Sequence, residues 1–497
     1  MKRITRIIAA ILGSRRFTIG TLCFFIFEGV WVACSAVYPM AFDEDFHFGL
    51  IKMYSHYWLP FLSTQPPNTS QFGAVTRDPS YLYHYLMSFP YRFIELFTHD
   101  QTIQVILLRF INIGLFGLGI VLGYKVMRRA GATRVLANTG LALFVLIPIV
   151  PLLAAQINYD NMVMPLVAWT CLMILRVDEQ LRKRVIDLKL WAILAADCLL
   201  SSLVKYAFLP VAFAVFVFVV ARVWIAFHGH RHQLGTAFAQ AYRTLSKKTV
   251  ATLIVLLLIS GGMFFQRYGL NVISYHTPLP GCNVVLNTDE CMSYGPWARN
   301  YMDAQTKGAV NRNPVAYSWT WLEGMHYRLF FMVNGPASGF ENYAPVPLPS
   351  ATAVVLVIAG VVALGLAWRR VFSGQNRYFL LFLFLMASLY CLALWVDNYD
   401  DFLSTGQPVA INGRYLLVVL LPLIAVFGRA LMAIIGRWRG LCTWAAAFAI
   451  ILFLQGGGVM SFILRSDPQW DWPASPVVHA NNAARKILAP PIVEGPK

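Results

Sequence analysis

Residues 17–47 read FTIGTLCFFIFEGVWVACSAVYPMAFDEDFH, a long apolar run that ends in a cluster of ionisable side chains. A helix needs about 20 apolar residues to cross the hydrocarbon core of a membrane, and the segment 17–40 is long enough. It exceeds the core of a signal peptide, about 7 to 15 residues, so we expect an uncleaved first membrane helix. Directly after it come Asp43, Glu44, Asp45 and His47. Such groups are costly beside a bilayer, and we therefore expect them to form a reactive site.

The composition indicates a polytopic membrane protein. Hydrophobic residues make up 58% of the chain and charged residues 13%, whereas about a quarter of the residues are charged in soluble globular proteins. The net charge of +17 is divided among short segments between apolar runs, so it does not indicate a nucleic-acid-binding surface. Membrane lipids are the expected surroundings of the chain, and no nucleic-acid partner is expected.

Further apolar runs predict an all-α membrane protein of about 11 transmembrane helices. They lie near residues 105–124, 135–153, 161–175, 188–204, 206–227, 249–268, 350–368, 378–396, 415–436 and 441–464. Lys and Arg gather in every second connecting segment, which by the positive-inside rule predicts that the N-terminus lies inside and the tail 465–497 outside. Only Lys205-Tyr206 marks a turn within 188–227. One long helix there would invert everything downstream and violate the charge bias.

Two large outside segments interrupt the predicted transmembrane module, residues 1–464. The first, 41–104, has aromatic and apolar residues at roughly helical spacing, which favours helices lying in the membrane interface. The second, 267–349, is rich in Tyr, Trp, Asn, Gly and Pro. It contains Cys282 and Cys291, which either pair in an oxidising compartment or remain free thiols.

Carboxylates at the outer surface can carry out chemistry on a substrate. One of them can act as a general base toward an attacking hydroxyl, or the group can hold a divalent metal. In a helical stretch Asp43 and His47 would share one face and Asp45 would point away. The alternative is that these residues cap an adjoining helix and pair with interfacial Lys or Arg.

The motif DEDFH at 43–47, following a first membrane helix, resembles the start of the first outside loop in GT-C glycosyltransferases. These include bacterial membrane families related to the protein O-mannosyltransferases and the aminoarabinose transferase. The predicted layout of spans and outside loops is similar to that of the superfamily. The strings QINYDN at 156–161 and NGRY at 412–415 resemble signatures of one bacterial branch. The third acid, Asp45, departs from the family's motif and leaves open which carboxylate is the base.

The resemblance implies transfer of a sugar from a polyprenyl-phosphate donor to an envelope glycan or lipid acceptor. The reaction would take place at the periplasmic face of a bacterial inner membrane. Asp43 would be the general base, with Glu44 supporting or replacing it. Asp78 is similar in placement to a second acid late in the same loop, although Asp before Pro79 is also a common turn residue. The motif leaves open whether a divalent metal is required as a cofactor.

The donor's phosphate needs cationic partners near the membrane surface. Lys205 and Arg414 are the leading candidates, because they lie at outside ends of spans where the charge bias disfavours them. Arg77, Arg267 and Arg328 follow them. The alternative for each is a side chain that snorkels to lipid phosphate.

Two histidines and two charged residues within apolar runs each allow more than one role. His47 and His84 either orient the acceptor or contact phosphate, or are hydrogen-bonded interfacial histidines, the view we favour for His84. Arg109 and Asp197 fall within apolar runs and are expected to be buried polar partners in helix packing.

Two rival functions use other features of the sequence. A lipid-linked sugar transporter or flippase would place its ionisable residues near the bilayer midplane, commonly in repeated halves, whereas here most acids lie outside the spans. A lipid-linked polysaccharide polymerase or ligase would take a lipid-diphosphate donor and use late-loop arginines such as Arg299, Arg312 and Arg328.

Overall fold

The described part of the chain is helical. A computed structural model describes residues 2–40, 43–330, 346–455, 472 and 476–488. Helices α1 to α11 are Lys2–Leu12, Arg15–Ser35, Glu44–Ser55, Leu82–Glu95, Gln101–Arg129, Arg134–Val145, Ile149–Ala154, Asp160–Arg182, Leu188–Val204, Leu209–Phe227 and Arg231–Arg243. Helices α12 to α22 are Lys247–Phe264, Leu270–Tyr275, Cys282–Val285, Thr288–Cys291, Gly295–Thr306, Pro314–Phe330, Pro347–Val371, Arg377–Thr405, Leu417–Ile435, Arg439–Leu454 and Pro476–Leu488.

Within these ranges, eight helical segments are long and apolar enough to cross a membrane. They are Arg15–Ser35, Gln101–Arg129, Asp160–Arg182, Tyr206–Phe227, Lys247–Tyr275, Pro347–Val371, Arg377–Thr405 and Gly413–Trp438. For the described residues, the prediction of an all-α fold with several helices able to cross a membrane is thereby confirmed. The apolar helices Arg134–Val145 and Gly440–Leu454 are shorter, and α9 has 17 residues. The count of about 11 spans stays a prediction, and residues 456–464 of the last one lie outside the described ranges.

Two breaks in the helices bear on the predicted spans. The predicted span 135–153 is not one helix, since α6 ends at Val145 and α7 begins at Ile149. Pro148 lies between them, and proline lacks the amide hydrogen that a continuous helix requires. The turn predicted at Lys205 is present, because its backbone is extended (φ −155°, ψ 130°) where α9 ends. Region 188–227 is therefore two helices, as the predicted orientation requires.

Helix α5 lies at the centre of the bundle and packs against α2, α8 and α20. Gly119 and Gly123, one turn apart, permit this. A Cβ atom added at Gly119 would lie 2.7 Å from Met164 of α8, and one at Gly123 would lie 2.4 Å from Leu421 of α20. Small residues of this kind let helix backbones approach closely in a membrane, where burial from lipid gives little driving force.

The two ends of the bundle carry different groups. One end, which we call the basic end, holds the C-termini of α5, α8, α10 and α20 and the N-termini of α9 and α19. Asn376 there donates a hydrogen bond to the Arg129 carbonyl at 3.0 Å, and Arg222 Nε donates one to buried Asp178 at 2.7 Å. At the opposite end of the bundle, α4 of the first outside segment packs against α5 and α9, and α3 packs against α4.

Candidate functional site

The three short strings that carried the resemblance meet at the end of the bundle opposite the basic end. Arg414 Nη2 donates to Asp43 Oδ2 at 3.0 Å, although the two residues are 371 positions apart in sequence. The Ile157 amide donates to Glu44 Oε1 at 3.2 Å. Arg414 Nε lies 3.8 Å from Asp160 Oδ2. The strings 43–47, 156–161 and 412–415 therefore form one contiguous cluster.

A cavity of about 680 Å³ opens beside this cluster. Both outside segments contribute to its wall, the first through 43–80 and the second through 279–299 and Arg328. Its charged lining consists of Asp43, Asp78, Asp397, Asp401, Arg299, Arg328 and Arg414. Its aromatic lining consists of Phe46, Phe72, Tyr159, Tyr206, Tyr294 and Tyr415. Arginines suit an anionic group, while carboxylates and tyrosine hydroxyls suit a ligand that is rich in hydroxyls.

Asp43 presents its carboxylate to this cavity. It precedes α3 in the left-handed region of backbone space (φ 68°, ψ 30°), where Asp and Asn are tolerated better than most residues. Its side chain is 57% exposed and makes no hydrogen bond that caps α3. The carboxylate is therefore held by Arg414 on one side and reachable from the cavity on the other.

Glu44 lies in a different environment from its neighbour. It is fully buried, and it accepts hydrogen bonds from Arg109 Nε at 2.8 Å and Nη2 at 2.7 Å and from the Met40 amide at 2.7 Å. Arg109, expected as a buried partner in helix packing, also donates to the Ala36 carbonyl at the end of α2. Glu44 thus joins α2, α3, α5 and the 156–161 string, and its placement favours a structural role over that of a base.

Lys205 and Arg414 lie on either side of Asp160. Lys205 Nζ is 2.5 Å from Asp160 Oδ1, and these two side chains are about 5% exposed or less. The Lys205 ammonium also lies 4.4 Å from the ring centres of Tyr159 and Tyr415. The result is a chain of alternating charge from Lys205 through Asp160 and Arg414 to Asp43. The opposite charges offset the cost of burying Lys205, Asp160 and Arg414.

The NGRY string explains how Arg414 reaches the cavity. The Asn412 side chain accepts a hydrogen bond from the Arg414 amide at 3.1 Å. A Cβ atom at Gly413 would lie 2.3 Å from the Met325 carbonyl of α17, so no larger residue fits without displacing that helix. The short 3-10 turn Gly413–Leu416 then leads directly into α20.

Asp78 makes the hydrogen bond of a turn residue and also lines the cavity, so its role as a second acid of the site stays a prediction. Its Oδ1 accepts a hydrogen bond from the Ser80 amide at 2.9 Å, as a turn residue before Pro79 does, and its side chain also lines the cavity. Burial raises the pKa of Asp78. Arg267 lies nearby but is fully buried, where it donates to the carbonyls of Thr76 and Pro60. It holds the first outside segment in place and does not line the cavity.

The two histidines lie beneath the cavity. His47 Nδ1 and His84 Nε2 are 2.8 Å apart, and both side chains are 1% exposed. Burial lowers the pKa of His84 to about 3 and that of His47 well below its usual value. Both rings are therefore neutral at neutral pH. The ring centres of His47 and Tyr159 are 4.5 Å apart.

The remaining residues that the sequence predicted for the site differ in whether they line the cavity. Asp45 is exposed but does not line the cavity, and the Arg77 guanidinium lies 5.8 Å from the ring centre of Tyr275. Arg328 does line the cavity. Cys282 and Cys291 are joined in a disulfide with their Cα atoms 5.8 Å apart, and Cys282 is part of the cavity wall. Residues 331–345 of the second outside segment lie outside the described ranges.

Three acids of the site were not identified from the sequence. Asp397 and Asp401 are one turn apart near the end of α19 and line the cavity. The spacing of four was the available signal, but the predicted span ended at residue 396. Asp160 belongs to the string 156–161, and its place at the outside start of a span was the signal for a role of its own.

The acids of the site do not form a recognisable metal centre. In the ranges that the structure describes, no three side chains of His, Cys, Asp or Glu come together as ligands for a metal ion.

Comparison of the chain with protein-family models, with curated proteins and with solved structures finds no match.

Proposed function

We propose that the chain is a membrane glycosyltransferase of the GT-C type. It transfers a sugar from a polyprenyl-phosphate donor to a hydroxyl of an envelope glycan or lipid. The observation that supports this most is the exposed Asp43 carboxylate beside the buried Arg414 guanidinium in a cavity built from both outside segments. Transfer of a sugar from phosphate to a hydroxyl is assisted by a base for the hydroxyl proton and a cation for the phosphate, and Asp43 and Arg414 bring these two groups to one cavity.

The reaction proceeds by one displacement at the anomeric carbon. The acceptor oxygen forms a bond to that carbon while the bond from carbon to the phosphate oxygen breaks. Asp43 takes the proton of the acceptor hydroxyl, and the polyprenyl phosphate leaves with the electron pair. Arg414 stabilises the negative charge of the departing phosphate, and Arg299 and Arg328 add positive charge to the same cavity. A single displacement inverts the configuration of the sugar.

The proposed setting is the inner membrane of a bacterium. The chain would cross it about 11 times, with α3 and α4 lying in the outer interface and the cavity facing the periplasm. The basic end of the bundle supports this orientation, because Lys and Arg are retained on the cytoplasmic side of a membrane protein. The polyprenyl chain of the donor would then lie in the outer half of the bilayer, next to the cavity.

A lipid-linked polysaccharide polymerase or ligase is the second candidate. Arg299 and Arg328 favour it, because both line the cavity and a lipid diphosphate would offer them more negative charge than a monophosphate does. In such an enzyme the arginines would matter more than Asp43.

Transfer of radiolabelled sugar by purified protein tests the proposal. The donors are a panel of polyprenyl-phosphate and polyprenyl-diphosphate sugars, each assayed with and without a chelator. Asp43→Asn suits the experiment, because Asn tolerates the same left-handed backbone and removes only the charge. We expect it to lower transfer from monophosphate donors by about 100-fold or more, the usual contribution of a general base.

Asp45→Asn is the matched control, since Asp45 is exposed two residues away, in the first turn of α3, and lies outside the cavity. It should transfer sugar at the wild-type rate. Unchanged transfer in Asp43→Asn would exclude Asp43 as the base. Loss in Arg328→Ala with diphosphate donors alone would favour the polymerase or ligase.

A further inference from the structure

A groove between α5 and α8 lies at the basic end of the bundle, away from the candidate functional site. Its volume is about 410 Å³. Four charged residues line it, namely Lys125, Arg129, Arg176 and Glu179. We call it the α5–α8 groove.

The groove divides into a charged rim and an apolar floor. Leu122 precedes Arg129 on α5, and Trp169 precedes Arg176 on α8, by seven residues in each case, which is about 10 Å of helix. Both helices run toward the basic end, so the cations lie at the rim and the apolar side chains lie deeper in the bilayer. Trp169 is 41% exposed there.

The three cations of the rim are available to a ligand. Lys125, Arg129 and Arg176 are exposed, and among the described residues their side chains have no hydrogen-bond or ion-pair partner. Glu179 offsets one of the three charges. The remaining positive charge attracts an anion and disfavours a headgroup that carries its own cation.

We propose that the α5–α8 groove binds one anionic diacyl phospholipid from the leaflet at the basic end. Its phosphate lies among Lys125, Arg129 and Arg176, and an acyl chain lies along Leu122 and Trp169. Basic pockets between membrane helices are a known way to hold anionic headgroups, and here the apolar floor fits the chain of the same molecule. The site is independent of the cavity at the other end of the bundle and of the sugar transfer proposed there.

Native mass spectrometry of the purified full-length protein tests this inference. The probes are dioleoyl phosphatidylglycerol and dioleoyl phosphatidylcholine, titrated separately. We expect the wild type to bind the first phosphatidylglycerol molecule about tenfold or more tightly than phosphatidylcholine. The reason is that basic residues at a membrane surface attract an anionic headgroup with a free energy that corresponds to an affinity ratio of about this size. The triple variant Lys125→Gln, Arg129→Gln, Arg176→Gln should lose that preference.

The matched control removes three other exposed cations near the same end, by Arg243→Gln, Lys247→Gln and Lys248→Gln, none of which lines the groove. It should keep the preference. Equal binding of the two lipids by the wild type, or equal loss in both triple variants, would overturn the proposal.

A second measurement does not depend on charge variants. In nanodiscs, dibrominated phosphatidylglycerol should quench the fluorescence of the wild type more than dibrominated phosphatidylcholine does. The difference should shrink in Trp169→Phe, because bromine on the bound acyl chain quenches the tryptophan that it touches. An undiminished difference in Trp169→Phe would place the lipid elsewhere and overturn the assignment of the groove.

Discussion

Glu44 and Arg109 form an ion pair that is closed to solvent, although Glu44 directly follows the exposed Asp43. Removing one partner of such a pair leaves the other charge buried without compensation, which typically costs about 3–5 kcal/mol. Arg109→Met should therefore lower the melting temperature of the purified protein sharply. The double variant Glu44→Gln, Arg109→Met should be more stable than Arg109→Met alone, since it removes both charges.

Asp45→Asn serves as the control for this pair and should have the melting temperature of the wild type. A wild-type melting temperature for Arg109→Met would contradict a structural role of the pair. Glu44→Gln that melts normally but loses sugar transfer would point instead to the catalytic role that the sequence allowed for Glu44.

The buried histidines predict a loss of stability in mild acid. In the unfolded chain a histidine binds a proton below about pH 6.5, whereas His84 in the folded protein does so only near pH 3. The unfolded state therefore binds more protons between these values, and stability falls as the pH falls through this window. At pH 5 the loss is about 2 kcal/mol for such a histidine.

Melting temperatures between pH 7.5 and pH 5 measure this effect. His84→Gln should show a shallower fall than the wild type, whatever its stability at pH 7.5. His56→Gln, which changes an exposed histidine of the same outside segment, should keep the wild-type slope. The same change of melting temperature with pH in all three proteins would show that the buried histidine pair does not cause the loss of stability in mild acid.

At the scale of the elements, the segment that carries the disulfide forms part of the cavity wall. Cys282 and Cys291 join α14 to α15, and the neighbouring residues Leu279, Tyr294 and Arg299 line the cavity. Reduction should loosen this wall and lower transfer by roughly tenfold. This is a smaller loss than the about 100-fold that displacement of binding groups by about 1 Å can cause. Neither cysteine lies in any of the eight long apolar helical segments, so the melting temperature should change little.

Kinetics with and without a phosphine reductant test this effect of the disulfide. The Cys282→Ser, Cys291→Ser variant should be as impaired as the reduced wild type, and reductant should not affect it further. Since the six free cysteines of the described residues are retained in that variant, a further loss on reduction would assign the effect to something other than the disulfide.

The sequence predicted the elements better than the partners of their polar side chains. Apolar length and charge alternation were sufficient for the long helices, and Lys205 marked the break between α9 and α10. The break at Pro148 was not foreseen, because a proline within an apolar run does not by itself distinguish a kink from a helix end.

The candidate site was predictable only where a charge was costly at its position in the sequence. Asp43 and Arg414 were singled out on that ground, and they lie in contact. The different environment of Glu44 depends on Arg109, which is 65 residues away and reaches it only through the packing of α5. Such a pairing leaves no local signal in the chain.

The whole molecule has a basic end and a cavity end, and the proposed function requires the cavity to face the periplasm. Gly235 of α11 and Gly308 after α16 are exposed, and a Cβ atom at either would meet open space. Only one long apolar segment, Lys247–Tyr275, separates them along the described chain. If Lys247–Tyr275 crosses the membrane, the two glycines lie on opposite sides of it, whatever the total number of spans.

Labelling of Gly235→Cys and Gly308→Cys with a membrane-impermeant maleimide in spheroplasts tests this orientation. We expect Gly308→Cys to react in intact spheroplasts and Gly235→Cys only after permeabilisation, as the positive-inside rule requires. The unsubstituted protein measures the reaction of the native cysteines. The reverse pattern would place the cavity in the cytoplasm and contradict a periplasmic acceptor. Labelling of both in intact spheroplasts would instead show that Lys247–Tyr275 does not cross the membrane.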